Sequence, residues 1–269
     1  MAEQYLIGQN SKQQYRTKDI FNPLLRMKYK LSILLTFLTF TCLLTFAQDI
    51  SSITDANKQL DAREYKEAIK LFGDILKQNS RDEEALSGII RAHLLSENLK
   101  DAQKYIDKAI QEYPKNPEFW LRKGILNNMK GQYLKAVDDF NIAFQLSGNQ
   151  PDIQLYINRG VACMQDENYG SAIADFTDAL KINPRQASAL NYRAFANYRL
   201  ANYAESIEDY DKVIELNPES TSGYYNRGMA HLRSGNKIKA CSDFHEACSK
   251  GNINACKMIV TQCSAGGKQ

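Results

Sequence analysis

From residue 153 onward the chain repeats itself every 34 residues. Copies open at Ile153, Ala187 and Thr221, and the same kinds of residue return at the same places in each. Position four carries Tyr156, Leu190 and Tyr224, and position eight carries Gly160, Ala194 and Gly228. Position twenty carries Ala172, Ser206 and Ala240, position twenty-four Phe176, Tyr210 and Phe244, and position twenty-seven Ala179, Val213 and Ala247. Pro184 and Pro218 close the first two copies. A period of this length marks a supersecondary unit that cannot bury its apolar face alone and must stack on copies of itself. Ala172, Phe176 and Ala179 follow i, i+4, i+7 spacing, which places them on one helix face. Small residues at positions eight and twenty let two helices approach closely, and the ring at position twenty-four fills the space beside that contact.

Upstream the template continues with more drift. A unit from Pro117 supplies Trp120, Gly124, Tyr133, Ala136, Phe140 and Ala143, and one from Glu83 supplies Ala92, Ala102, Ile106, Ala109 and Pro114. The unit from Asp49 keeps Ala56, Tyr65, Ala68 and Phe72. This pattern resembles the tetratricopeptide repeat (TPR) family. The resemblance implies an all-α, right-handed superhelical solenoid of about six helix-turn-helix units, starting near 49, 83, 117, 153, 187 and 221. The array is expected over 48–254, with a capping helix and tail over 255–269.

Position seven, apolar in most relatives of the family, is here Lys123, Arg159, Arg193 and Arg227, and sixteen residues later stand Asp139, Asp175, Asp209 and Asp243. In a hairpin turning near positions fourteen to fifteen these two places face each other at one height. The aspartates are therefore expected to pair with the basic residues within a unit, as a semi-buried Arg does with a bidentate carboxylate. The first two units depart from the pattern, with Asp55 and Leu71 in one and Ile89 and Tyr105 in the other.

Cys241, Cys248, Cys256 and Cys263 lie symmetrically about the Gly251 and Asn252 turn. Each pair is seven residues apart, about 10.5 Å along one helix face. Antiparallel helices at ~8–10 Å bring facing Cα atoms within the ~4.4–6.8 Å that a disulfide needs. The geometry permits two rungs, Cys248 with Cys256 and Cys241 with Cys263. The Cys248 to Cys256 spacing also resembles that of secreted, cysteine-rich relatives of these repeats. A four-thiolate zinc site and a redox pair are the alternatives, although the close Cys-Xaa-Xaa-Cys pairs both favour are absent. Cys163, facing neighbours inside a unit, reads as a small buried apolar residue.

The N-terminal region has a different character. Leu31 to Phe46 is an uncharged apolar run preceded by Lys28 and Lys30 and followed by Ala47, the order of a secretory signal. Its sixteen residues span about 24 Å as a helix, less than the ~30 Å hydrocarbon core, which favours a cleaved signal over a retained anchor. We expect a signal peptide over 27–47 with cleavage after Ala47, and a start of translation at Met27 that makes 1–26 an upstream extension. The chain carries +3 overall, but six basic and two acidic residues fall within 1–47, so the remainder is close to neutral and lacks a footprint for nucleic acid.

No phosphate-binding glycine loop, nucleophile elbow or paired-histidine metal motif occurs, and His93, His231 and His245 are scattered. No catalytic residue, metal or cofactor is expected. In the resembled family the first helix of each unit lines a groove. Carried over by position, this selects Arg122, Ile125 and Met129 in one unit and Asn158, Val161 and Gln165 in the next. Tyr192, Phe195 and Arg199 follow, then Asn226, Met229 and Arg233. That mixture suits an extended peptide or a partner helix. The expected function is a non-enzymatic adaptor for a protein or peptide partner, periplasmic or secreted, touching a membrane only if its N-terminal segment stays uncleaved. An envelope redox enzyme using the C-terminal cysteines and a self-associating structural protein are the alternatives.

Overall fold

The computed structural model describes residues 52–148 and 152–263. The expected extension over 1–26, the signal peptide over 27–47 with its cleavage point, and the tail beyond 263 lie outside the described residues. The described residues from Ala56 onward form one compact unit.

Among the described residues every regular element is helical. Helix α1 covers 52–61 and pairs in sequence with α2 (Tyr65–Gln78). The next pairs are α3 (Glu83–Leu95) with α4 (Leu99–Glu112), and α5 (Pro117–Met129) with α6 (Tyr133–Ser147). Then come α7 (Ile153–Gln165) with α8 (Tyr169–Ile182), and α9 (Ala187–Arg199) with α10 (Tyr203–Leu216). The last pair is α11 (Thr221–Arg233) with α12 (Lys237–Ser249), closed by a short α13 (Ile253–Met258) that continues as a π turn over Ile259–Cys263. From α2 onward each helix packs on the next, and α3, α5, α7, α9 and α11 also touch one another in turn, forming a layer of first helices.

Local chemistry fixes these boundaries. Asp82, Asn98, Asn116, Asp152, Asn168, Ser220 and Asn236 each accept a hydrogen bond from a first-turn backbone N–H of the helix they precede. Asn252 does the same for Ala255, so the capping helix begins at Ile253 rather than at 255. Between the helices of each pair one residue adopts the left-handed conformation: Arg63, Glu97, Gly131, Glu167, Ala201 and Gly235, with φ from 57° to 87°. Only two of the six are glycine, so the tight turn is imposed by packing at the other four.

The contact between helices of a pair depends on a missing side chain. A Cβ on Gly124 would stand 2.4 Å from the Phe140 ring, one on Gly160 2.7 Å from Phe176, and one on Gly228 2.8 Å from Phe244. All three rings are fully buried, as are Ala136, Ala172 and Ala240. The α9–α10 pair replaces the glycine with Ala194 and the phenylalanine with Tyr210.

In the α3–α4 pair, which departs from the charge pattern of the later units, His93 stacks on Tyr105. The ring centroids are 5.5 Å apart and the ring planes 17° apart, and Ile89 of the same pair is buried. Apolar and aromatic packing thus occupies the place where later pairs hold an ion pair. Burial pushes the His93 imidazole below its ordinary range, opposed by the charge of Asp101. A lowered native value means that the unfolded chain binds the proton first, so stability is complete above the ordinary 6.5 and declines as pH falls below it toward the native value. His93→Gln should lessen the fall of urea-unfolding midpoints between about pH 7 and 5, leaving the share of His231, whose imidazole is also pushed down by burial; an unchanged pH slope would remove His93 as a titrating group.

Candidate functional site

Two constellations sit on this scaffold: a ladder of charges between helix pairs and a pair of clefts on the layer of first helices. The ladder has the expected partners. Arg159 donates from Nε and Nη2 to Asp175 at 3.0 and 2.6 Å, Arg193 to Asp209 at 2.8 and 2.8 Å, and Arg227 to Asp243 at 3.0 and 2.6 Å. The aspartates are buried and the guanidiniums about one-fifth exposed. The aspartate hydrogen bonds hold Arg193 and Arg227 charged more firmly than a free guanidinium. Lys123 makes a single 3.3 Å contact with Asp139, and the Asn127 amide donates a 2.6 Å hydrogen bond to the same carboxylate. Burial pushes Asp139 upward, and these two partners offset only part of that shift.

Each arginine has a third contact that the sequence did not suggest. Nη1 reaches back to the preceding pair: Arg159 to Asn141 Oδ1 at 2.8 Å, Arg193 to Thr177 Oγ1 at 3.1 Å, and Arg227 to Asp211 Oδ1 at 2.7 Å. The visible signal was a hydrogen-bond acceptor recurring at position twenty-five of three successive units. With the fork on its own pair and Nη1 on the one before, each guanidinium ties neighbouring units together, leaving it satisfied rather than free for an anion.

The twelve groove positions do not behave alike. Gln165, Tyr192, Phe195, Arg199 and Asn226 come together around a cleft of about 380 Å³, which Tyr169 also borders. Phe195, Asn226 and Met229 border an adjoining hollow of about 180 Å³ with Tyr198, Tyr210 and Tyr225. Arg233 donates from Nε to the Tyr198 hydroxyl at 3.4 Å, at the edge of that hollow. By contrast, Ile125 and Val161 pack half-buried against the aromatic core. The Asn158 amide donates to the carbonyl of Gln154 on its own helix, and Arg122 is engaged by Glu118 at 3.1 Å. Met129 is exposed and lines neither cleft. Tyr169, Tyr198, Tyr210 and Tyr225 were not anticipated; they enter the clefts through their rotamers.

At the C-terminal end, Cys241 and Cys263 have Cα atoms 5.6 Å apart, Cys248 and Cys256 have Cα atoms 4.9 Å apart, and both pairs have their sulfurs at bonding distance. The pairs cross between α12 and the capping segment, whose Ala255 joins Ala240, Phe244 and Ala247 in one buried cluster, with Met258 and Ile259 packed against it. Cys163 is a buried free thiol, pushed up to about 11 by burial, which keeps it protonated and non-nucleophilic at neutral pH. Among the described residues no group of three or more His, Cys, Asp or Glu side chains is placed to hold a metal ion, and no helix is long and apolar enough to cross a membrane.

Stacked antiparallel helix pairs joined by small-residue contacts define a helical-repeat solenoid. The repeats are tetratricopeptide repeats. Tetratricopeptide repeat models match residues 59–124 and 153–186, and a TPR repeat model matches 202–235. Human tetratricopeptide repeat protein 13 is 28% identical over 134 residues, 48% of this chain, and the chain spans only 15% of that relative's length. Among solved structures, PilW, a type IV pilus biogenesis factor, superposes with a TM-score of 0.71 at 15% identity, covering 79% of this chain and 98% of PilW. YrrB, described as a TPR protein with an unusual peptide-binding site, gives 0.60 at 18% identity, covering 69% and 96%. A tetratricopeptide repeat protein from Parabacteroides merdae gives 0.60 at 19% identity, covering 76% and 80%. At these identities the structural likeness establishes the fold, an all-α TPR solenoid. Proteins of this fold are generally scaffolds for protein interaction.

Proposed function

We propose that this chain is an exported, non-enzymatic adaptor that holds a segment of another protein against its layer of first helices. The observation that carries the reading is the pair of adjoining clefts formed by α7, α9 and α11 with Tyr169 of α8 and Tyr210 of α10, where aromatic rings, amides and a guanidinium converge on open space. Apolar walls with a few placed polar groups are the usual composition of a recognition site. The ladder arginines are consumed by structure, so the groove face is where the binding chemistry is concentrated. Export is supported by the basic, apolar and small-residue order of 27–47 and by two cysteine pairs that suit an oxidising compartment. The same two features support a periplasmic or secreted location.

The test is affinity purification of the full chain from its native cell after mild crosslinking, with intact-mass analysis under non-reducing conditions. The expected result is a mature start at Gln48, four oxidised cysteines and a reproducible protein partner. That partner should be lost with Tyr192→Ala and Phe195→Ala but kept with Ile238→Asp, which alters an exposed residue of α12. A partner indifferent to the groove variants would sink the groove assignment, and an uncleaved chain with free thiols would sink export.

A further inference from the structure

Three arginines stand on the groove face, and they are held differently. Arg122 is engaged by Glu118 on its own helix, and Arg233 donates to the Tyr198 hydroxyl. Arg199 instead lies over rings: its guanidinium carbon is 4.7 Å from the Tyr169 centroid and 5.9 Å from that of Phe195. Stacking occupies the face of a guanidinium and leaves the in-plane N–H donors for a planar acceptor. A carboxylate of the chain already stands nearby. Glu167 Oε1 lies 3.6 Å from Arg199 Nη2, attracted but beyond hydrogen-bond range, on a side chain that is 75% exposed. The place accepts negative charge, and its resident carboxylate leaves the guanidinium fork unfilled.

Beside Arg199 the larger cleft shares the walls Phe195 and Asn226 with the smaller hollow, which is lined by Tyr198, Tyr210, Tyr225 and Met229. Tyr210 is buried to 1% exposure, so the far wall of the hollow is a fixed ring rather than a mobile surface side chain. Two sites with a common wall can be engaged by neighbouring side chains of one ligand, and in an extended peptide the nearest side chains on one face are two residues, ~6.6 Å, apart.

We infer that the groove selects an extended segment of a partner protein carrying an internal Asp or Glu and, two residues away, an aliphatic or aromatic side chain. The carboxylate takes the fork of Arg199 and displaces Glu167, while the apolar side chain enters the hollow between Tyr210 and Met229. This rests on the groove being the binding face and adds to it the chemistry of the occupant.

The test is fluorescence anisotropy of the full chain with fluorescein-labelled nonapeptides in a Ser/Gly background. One peptide carries glutamate two residues before leucine, a second has glutamine for the glutamate, and a third has serine for the leucine. Each single replacement should weaken binding about tenfold. Arg199→Gln should abolish the preference for glutamate over glutamine while keeping that for leucine over serine. Glu167→Gln should tighten the glutamate peptide several-fold by removing the competing carboxylate. Equal binding of the glutamate and glutamine peptides, or a preference that survives Arg199→Gln, would overturn this inference and leave the groove as the binding face. Absence of binding by all three peptides would overturn both.

Discussion

Asp209→Ala should destabilise the array by about 3 kcal/mol, because it strands a guanidinium that is only one-fifth exposed and has no other carboxylate in contact. Arg193 would keep the Thr177 hydroxyl at 3.1 Å as its remaining hydrogen bond. The figure lies at the low end of the range for breaking a buried pair, since the partly open guanidinium regains some hydration. Thr177→Ala removes a single hydrogen bond and should cost about 1 kcal/mol. Replacing the pair together, Arg193→Met with Asp209→Leu, should recover most of the loss, because neither charge is then left alone. Urea unfolding of the three variants checks the set. If Asp209→Ala costs no more than Thr177→Ala, the bidentate pair is not a structural element of the array.

Reduction should release the C-terminal cap while leaving the middle of the array folded. Disulfides at these two pairs would close 22 and 8 residues, corresponding to about 3 and about 2.5 kcal/mol of lost unfolded-state entropy, and the loops are nested, so the two would not sum in full. The capping segment has little else to hold it: α13 is six residues long, and Ile253 and Val260 are largely exposed. Hydrogen exchange of oxidised and reduced protein should show protection lost over 253–263 and retained in α5 to α10. Equal protection of the cap in both states would mean that packing on Ala240, Phe244 and Ala247 of α12, and not the cysteine pairs, holds it.

The fold was legible because a stack of equivalent hairpins writes its packing into a fixed period. Gly124, Gly160 and Gly228 had to be small, the rings sixteen residues on had to be large, and both requirements show at one spacing. The Arg to Asp pairing was legible for the same reason, since both partners belong to one hairpin. Contacts between hairpins were not, because Asn141, Thr177 and Asp211 share an acceptor atom and little else in side-chain identity. Nor did position alone separate groove residues from core residues. Ile125 and Val161 turn inward and the Asn158 amide folds back on Gln154, outcomes decided by neighbouring rotamers. The place of Ile89, His93 and Tyr105 in the unit that lacks an ion pair depends on the stacking of two rings, which spacing does not reveal.

The backward reach of the ladder arginines gives the array a polarity. A fragment ending at residue 182 keeps every ladder contact of the arginine it contains, since Arg159 finds Asp175 within its own hairpin and Asn141 before it. A fragment beginning at Ile153 deprives the same arginine of Asn141. Shortening from the two ends is therefore not equivalent, and a chain emerging N-terminus first presents Asn141, Thr177 and Asp211 before the arginines that reach back to them, while each paired aspartate follows its arginine.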